Sequence, residues 1–460
     1  MWGLARFALV FMVVVPLFVG LATVVVPMQI GSSNIAFPRA ALASAWGYVF
    51  GSLIVIISVF AGGGWGALDA VTTGEADAIQ LTLLGTGLLL GSLLLASVCL
   101  ATTVISLRTA GMGLMKAPLF AWSILVASSV WLLTLPVAIA NLIIVTVDLR
   151  GGPLVFGDPQ SSSIYEQLAW VFEQPQIYAI AIPALGVLGS VIPVSAESRH
   201  FNHAAMVIVI GLAGLLSIGG WSQPFFGDTR SYLVYVAFGL AAGLPVFGAL
   251  ALSGLTLFKG QRPVGIPTAH FAGSLIAVLL LLGAVSVGGL RVIEPLELIG
   301  TTADTAVMNF TAFAALTAAL AGLAFWSSKI FSSPANPFLG LVGVLSFAGA
   351  ASLLGLSGLI AGFDGAPDNL LGDVSHLAET MSIVSVLGAL AGFGGATALF
   401  GLVSLSLMST SVDEADPWGG HTLEWATATP VATDNFDGPI ARVKSEAPLL
   451  DGAAEESEAS

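Results

Sequence analysis

The chain has 460 residues, 56% of them hydrophobic and 9% charged, with a mean hydropathy of +0.97. No soluble domain hides that much apolar surface, so a lipid bilayer is the solvent for most of it. A formal net charge of −14 and a pI near 4.6 exclude nucleic acid as a partner.

The apolar run from Phe7 to Met28 is too long for the core of a signal peptide. It is long enough to cross about 30 Å as a helix, and is read as the first transmembrane helix. Apolar runs recur along the chain, eleven in all, centred near Val15, Ile54, Leu93, Leu132, Ile182, Ile210, Leu240, Leu279, Leu316, Leu345 and Leu387. Short loops of Gly, Pro and charge separate them, and no fixed-period repeat is present. The pattern predicts an all-α, polytopic transmembrane helix bundle over residues 1–411. The 54 glycines suit close helix contact in lipid. The single cysteine, Cys99, lies in an apolar run and reads as a small core residue.

Residues 412–460 differ in kind. They hold eleven carboxylates against Arg442 and Lys444, or −9 of the −14, and read as an acidic cytoplasmic tail. Acidic exposed parts with sparse lysine suit a halophile, and the setting expected is the plasma membrane of a prokaryote, a haloarchaeon. With the amino terminus outside, the inner side carries Arg39, Arg108, Lys116, Arg199, Lys259, Arg262, Lys329, Arg442 and Lys444. The outer side carries Arg6, Arg150, Arg230 and Arg291. Nine basic residues inside against four outside support that orientation.

Five short stretches stand in order along these runs: "VPMQIGSSNIAFPRA", "WVFEQPQIY", "DTRSY", "LLGLSGLIAGF" and "DPWGGHTLEWAT". They resemble the "VPLQIGAPDMAFPR", "WFFGHPEVY", "DTRAY", "FLGLLGMPRRY" and "NPWGATTLEWAT" landmarks of subunit I of the haem–copper oxidases. The resemblance implies that family's bundle, entered at its second helix. It also implies two haems and a copper held by six histidines, since imidazole suits both iron and copper. In this chain those six positions are Leu4, Gln174, Gln223, Pro224, Thr311 and Phe313. The family's proton-carrying carboxylates align with Asn34 and Gln176, its lysine with Pro245, and its propionate-holding arginines with Ala361 and Gly362. Tyr178, Trp221, Arg230 and Asp304 persist.

The five histidines present are His200, His203, His270, His376 and His421, all placed in loops, a helix start or the tail, where they solvate or cap. Met12, Met206 and Met308 stand among Val, Ala or Phe and read as core residues. Glu173, Gln174, Gln176, Tyr178 and Gln223 form a candidate polar cluster at membrane depth. The two glutamines are expected to satisfy each other and the carbonyl that Pro175 leaves free, and Glu173 to snorkel or pair with Arg230.

These substitutions predict a catalytically silent subunit I-like protein with no haem or copper, a structural or assembly component among other oxidase subunits and lipid. The emptied haem space is expected to close by helix approach. Trp418, Leu423 and Trp425 are expected to anchor the tail on a partner subunit. Two rival readings stand: an active terminal oxidase with unrecognised ligands, and a transporter whose polar path uses Glu173, Gln174, Gln176, Gln223 and Asn309.

Overall fold

A computed structural model describes residues 2–65, 76–152, 155, 164–221, 229–261, 265, 267–368, 375–410, 414–436, 438 and 440–452, with side chains at all of these except 2, 165–167 and 229–231. Among the described residues eleven helices are long and apolar enough to span a membrane. We label them α1 (Gly3–Gln29), α2 (Pro38–Phe60), α3 (Ala76–Ser106), α4 (Leu119–Gly151), α5 (Leu168–Ser195), α6 (His203–Trp221), α7 (Tyr232–Lys259), α8 (Ala269–Arg291), α9 (Thr302–Phe325), α10 (Pro337–Phe363) and α11 (His376–Met408). Helix is what lipid demands, because backbone N–H and C=O groups there find no water and must pair within the segment.

Local chemistry sets the helix starts. Asn202, Thr301, Asn336 and Ser375 each accept a hydrogen bond from a backbone N–H in the first turn of α6, α9, α10 and α11. Pro38 and Pro337 open α2 and α10, where a missing N–H costs nothing. The first span is irregular. Ala8–Val14 winds as a π-helix, and the Tyr48 hydroxyl of α2 donates to the Met12 carbonyl at 2.6 Å.

At the centre lies α9, enclosed almost throughout its length, and its Ala, Gly and Thr residues let α5, α8 and α10 approach. Consecutive helices pair, α2 with α3, α4 with α5, α8 with α9 and α10 with α11. The peripheral α2 and α11 turn large apolar side chains outward, among them Phe50, Phe60, Phe393 and Phe400. Cys99, Met206 and Met308 are buried in the core, and Met12 packs against it.

The tail lies against the ends of α1, α8 and α9. Trp418 Nε1 donates to the Phe325 carbonyl at 2.9 Å, and its ring sits 4.4 Å from that of His270. Leu423 and Trp425 are buried, with the Trp425 ring edge-on to Phe325. The apolar surface of these three residues, expected to meet a partner subunit, is turned into this chain's own bundle instead. The physical reason is that these side chains find apolar cover on Phe325 and the core around it. Glu424 lies between them with no exposure, accepting from Gln29 Nε2 at 2.9 Å and Trp326 Nε1 at 3.2 Å.

Candidate functional site

Pro175 organises the amino-terminal part of α5. Its missing N–H frees the Val171 carbonyl, and Gln176 Nε2 donates to that carbonyl at 3.3 Å. The same nitrogen lies 3.5 Å from Thr134 Oγ1 of α4. Gln174 does not join in. Residues two apart on a helix point to different sides, and Gln174 lines a separate cavity. The two glutamines therefore do not satisfy each other, although one of them serves the orphan carbonyl as expected.

That cavity, of about 100 Å³, lies between α5, α6, α7, α8 and α9. Its polar lining is Gln174, Tyr178, Tyr235, Arg291 and Thr311, and the rest is apolar or glycine, with Pro245 on the α7 side. Thr311 spends its hydroxyl proton on the Val307 carbonyl at 2.8 Å. A second crevice of about 460 Å³ between α9, α10 and α11 holds Asn309, Thr305, Ser357 and Asp368.

An ion network crosses the bundle beside the first cavity. Arg6 of α1 contacts Glu173 of α5 at 2.7 Å and Asp368, just beyond α10, at 3.0 Å. It also bonds the Thr305 hydroxyl of α9, which in turn donates to Asp368. A second pair stands nearby: Arg291 at the end of α8 meets Asp304 at 2.5 Å as a charge contact, without the alignment of a hydrogen bond. Asp304 also accepts from the Gly300 N–H at 2.9 Å, and so caps the start of α9. Glu173 thus pairs with Arg6, while the side chain of Arg230, its expected partner, lies outside the described residues. The reason is reach: Arg6 enters the bundle on α1 against α5. Sequence reasoning passed over Arg6 and Asp368. An arginine inside an apolar span was the available signal; for Asp368, in a loop, there was none.

Comparison with known proteins agrees with this architecture. The family described as "Cytochrome C and Quinol oxidase polypeptide I" matches residues 7–396. The chain belongs to this oxidase subunit I family. It is 27% identical over 458 residues to a putative cytochrome c oxidase subunit 1-beta of Streptomyces avermitilis, covering 95% of this chain and 80% of that one. It is 28% identical over 448 residues to cytochrome c oxidase subunit 1 of Bacillus subtilis, with 93% and 71% covered. Against the Cereibacter sphaeroides cytochrome c oxidase subunit 1 the identity is 27% over 462 residues, with 93% and 79% covered.

Within the subunit I frame, the positions matched to the family's ligands are now placed. Gln174 and Thr311 line the 100 Å³ cavity, while Gln223 and Pro224 lie outside the described residues. Leu4 packs against the core, and Phe313 sits with its ring 6.2 Å from Phe347, against Gly392 of α11. Among the described residues the cavity presents amide, phenol, hydroxyl and guanidinium groups and no imidazole, thiolate or thioether, which is not the histidine set that the resemblance implies for two haems and a copper. Nor is there room for arginine at the former propionate position: a Cβ on Gly362 meets Thr301 Oγ1 at 2.9 Å and the Ala303 nitrogen at 3.0 Å. Ala361 is likewise buried.

The remaining candidates are accounted for individually. Asn34 accepts from the Ile35 N–H at 2.8 Å as a loop residue, and Trp221 stacks edge-on against Trp170. His376 is exposed at the start of α11. Glu173, Gln174, Gln176 and Asn309, drawn together for a polar path, fall into an ion pair, one cavity, a helix-internal bond and a second crevice.

Proposed function

We propose that this protein is a catalytically silent subunit I, a structural or assembly component of a membrane oxidase complex that carries neither haem nor copper. One observation bears most of the weight: Arg6 and Glu173 meet at 2.7 Å, joining α1 to α5. They lie two residues from Leu4 and one from Gln174, both former ligand positions, and the protein's own charges bridge helices that the family's cofactors would otherwise join. The cavity remaining at Gln174 and Thr311, about 100 Å³, holds a few waters rather than a porphyrin.

The orientation proposed, amino terminus outside and tail in the cytoplasm, gains support from the same network. Arg6 and Arg291 are buried in ion pairs, so they do not count as outer-loop charges, and Lys329 is buried on the inner side. Eight basic residues then stand inside against Arg150 and Arg230 outside. Its partners on this reading are the other subunits of the complex and lipid.

The test is the optical spectrum and metal content of the chain purified alone, with affinity capture from its native membrane beside it. No Soret band, no stoichiometric iron or copper, and co-capture of other oxidase subunits are expected. Stoichiometric haem and copper on the isolated chain overturn the reading.

A further inference from the structure

A cluster of imidazoles lies away from the ion network, at the joint between the tail and the inner loop that joins α5 to α6. A small cavity of about 30 Å³ is lined by His200 from the loop, His203 at the start of α6, and His421 and Glu446 from the tail. The His200 and His203 rings lie edge to face with centroids 5.9 Å apart. His200 Nε2 donates to the Gly189 carbonyl at 2.6 Å, and His203 Nε2 to the Ala117 carbonyl at 3.1 Å. A carbonyl accepts only, so both rings carry a proton on Nε2. The other nitrogen of His200, Nδ1, is buried with no hydrogen-bond partner. A second proton placed there finds no acceptor.

The tail closes over this site. Its Leu449 N–H donates to the His421 carbonyl, and its Asp451 and Glu446 meet Arg199 of the loop at 2.5 and 3.8 Å. Ser445 donates to Asp451 at 2.6 Å. Among the described residues no three His, Cys, Asp or Glu side chains form a group able to hold a metal ion, so the chemistry open to the cluster is protonation. We propose that these three imidazoles form an acid-sensitive latch, which holds the carboxyl-terminal segment 414–452 on the bundle while they are neutral and releases it as they take up protons.

The charges facing the cluster set the sign. Arg199 opposes protonation at His421 and Asp416 favours it there; at His200 Glu446 favours it, against His203 and His421. The ends of α4 and α5 contribute only uncharged residues, such as Pro118, Leu119, Ser190 and Pro193. Burial outweighs Glu446 at His200, pushing it from 6.5 down to about 4, and lowers His421 as well. A released tail and loop recover the ordinary imidazole value near 6.5 and so bind more protons than the seated state. Seating is therefore complete above pH about 6.5 and weakens as pH falls toward 4, by up to about tenfold per pH unit for His200, with His421 adding to the loss in the same direction. Asp451 does not titrate in this window. Burial would raise its carboxyl, but hydrogen bonds from Ser445 and Arg199 hold it below the usual carboxylate range.

A spin label on Ala441→Cys in the full chain in nanodiscs reads the latch, because Ala441 is exposed on the tail and the native Cys99 is buried. The label is expected to be immobile at pH 7.5 and to gain mobility reversibly between pH 6.5 and 4, with α-helical circular dichroism unchanged. His421→Gln should lower the number of protons linked to release by one. The triple variant His200→Gln, His203→Gln, His421→Gln should stay seated to pH about 4.5; if it does not fold, the single variants decide by steepness. His270, which packs on Trp418, is retained in all of them. An immobile label at pH 4 overturns the proposal. So does release of the variants with wild-type steepness, which would assign the transition to His270 or to carboxylates.

Discussion

Arg6 is the residue on which most depends. Its side chain is 10% exposed and serves Glu173, Asp368 and Thr305 at once, from three different elements. Removing one partner of a buried ion pair leaves charge uncompensated, which costs about 3–5 kcal/mol. Arg6→Ala is therefore expected to lower the thermal midpoint in detergent well below that of Glu173→Gln, which leaves Arg6 its Asp368 contact. Equal midpoints for the two variants would show that the network is not centred on Arg6. Glu424 behaves differently. Burial raises its carboxyl, against the hydrogen bonds from Gln29, Thr422 and Trp326 that lower it. An acid raised in the folded state contributes stability that falls as pH climbs from the ordinary value of 4.5 through the raised one. Glu424→Gln keeps a carbonyl acceptor and removes that decline, so relative to wild type it should gain stability as pH rises above 4.5. Glu424→Ala removes the acceptor of Gln29 and Trp326 and should lose about 1–3 kcal/mol throughout. Melting curves of both variants at several pH values check these signs.

At the scale of elements, the packing depends on where helices meet backbone to backbone. A Cβ on Gly51 of α2 would lie 2.7 Å from the Leu89 nitrogen of α3, and backbone cannot swing aside. Gly51→Ala should push the two helices apart and cost about 1–3 kcal/mol. Gly87→Ala, on α3 with nothing within 4 Å, should be neutral or gain up to about 1 kcal/mol from helix propensity. Paired thermal melts of the two variants measure the contrast; equal effects would refute the backbone contact. The α5 helix shows the complementary case. Pro175 removes one internal hydrogen bond, yet the span continues because Gln176 reaches back to the Val171 carbonyl.

At the scale of the whole molecule, the tail completes the bundle. Trp418 and Trp425 pack on Phe325, Glu424 bonds Gln29 and Trp326, and Lys329 Nζ donates to the Thr427 carbonyl at 2.6 Å. Burial lowers the Lys329 ammonium from its ordinary range, while the charges of Asp416 and Glu424 work to restore it. Ending the chain before Pro417 exposes the faces of α1 and α9 that these residues cover. The truncated protein is expected to melt at least several degrees lower and to aggregate sooner in detergent. An unchanged midpoint would return the tail to the role of a partner-docking segment.

Span number, helix class and family were legible in the sequence because each rests on local information. A run of about 20 apolar residues implies a helix in lipid wherever it lies in the chain. The landmark stretches keep their order and spacing along the chain. What the tertiary structure decided is pairing. Glu173 lies 167 positions from Arg6, Asp368 lies 362 from it, and Gln29 lies 395 from Glu424. Charge, amide and carboxylate carry no mark of their partner, and which of them meet depends on how eleven helices pack. The same holds for Trp418, Leu423 and Trp425. An apolar residue in an acidic segment shows that it seeks cover, and only the fold decides whether that cover belongs to another chain or to its own.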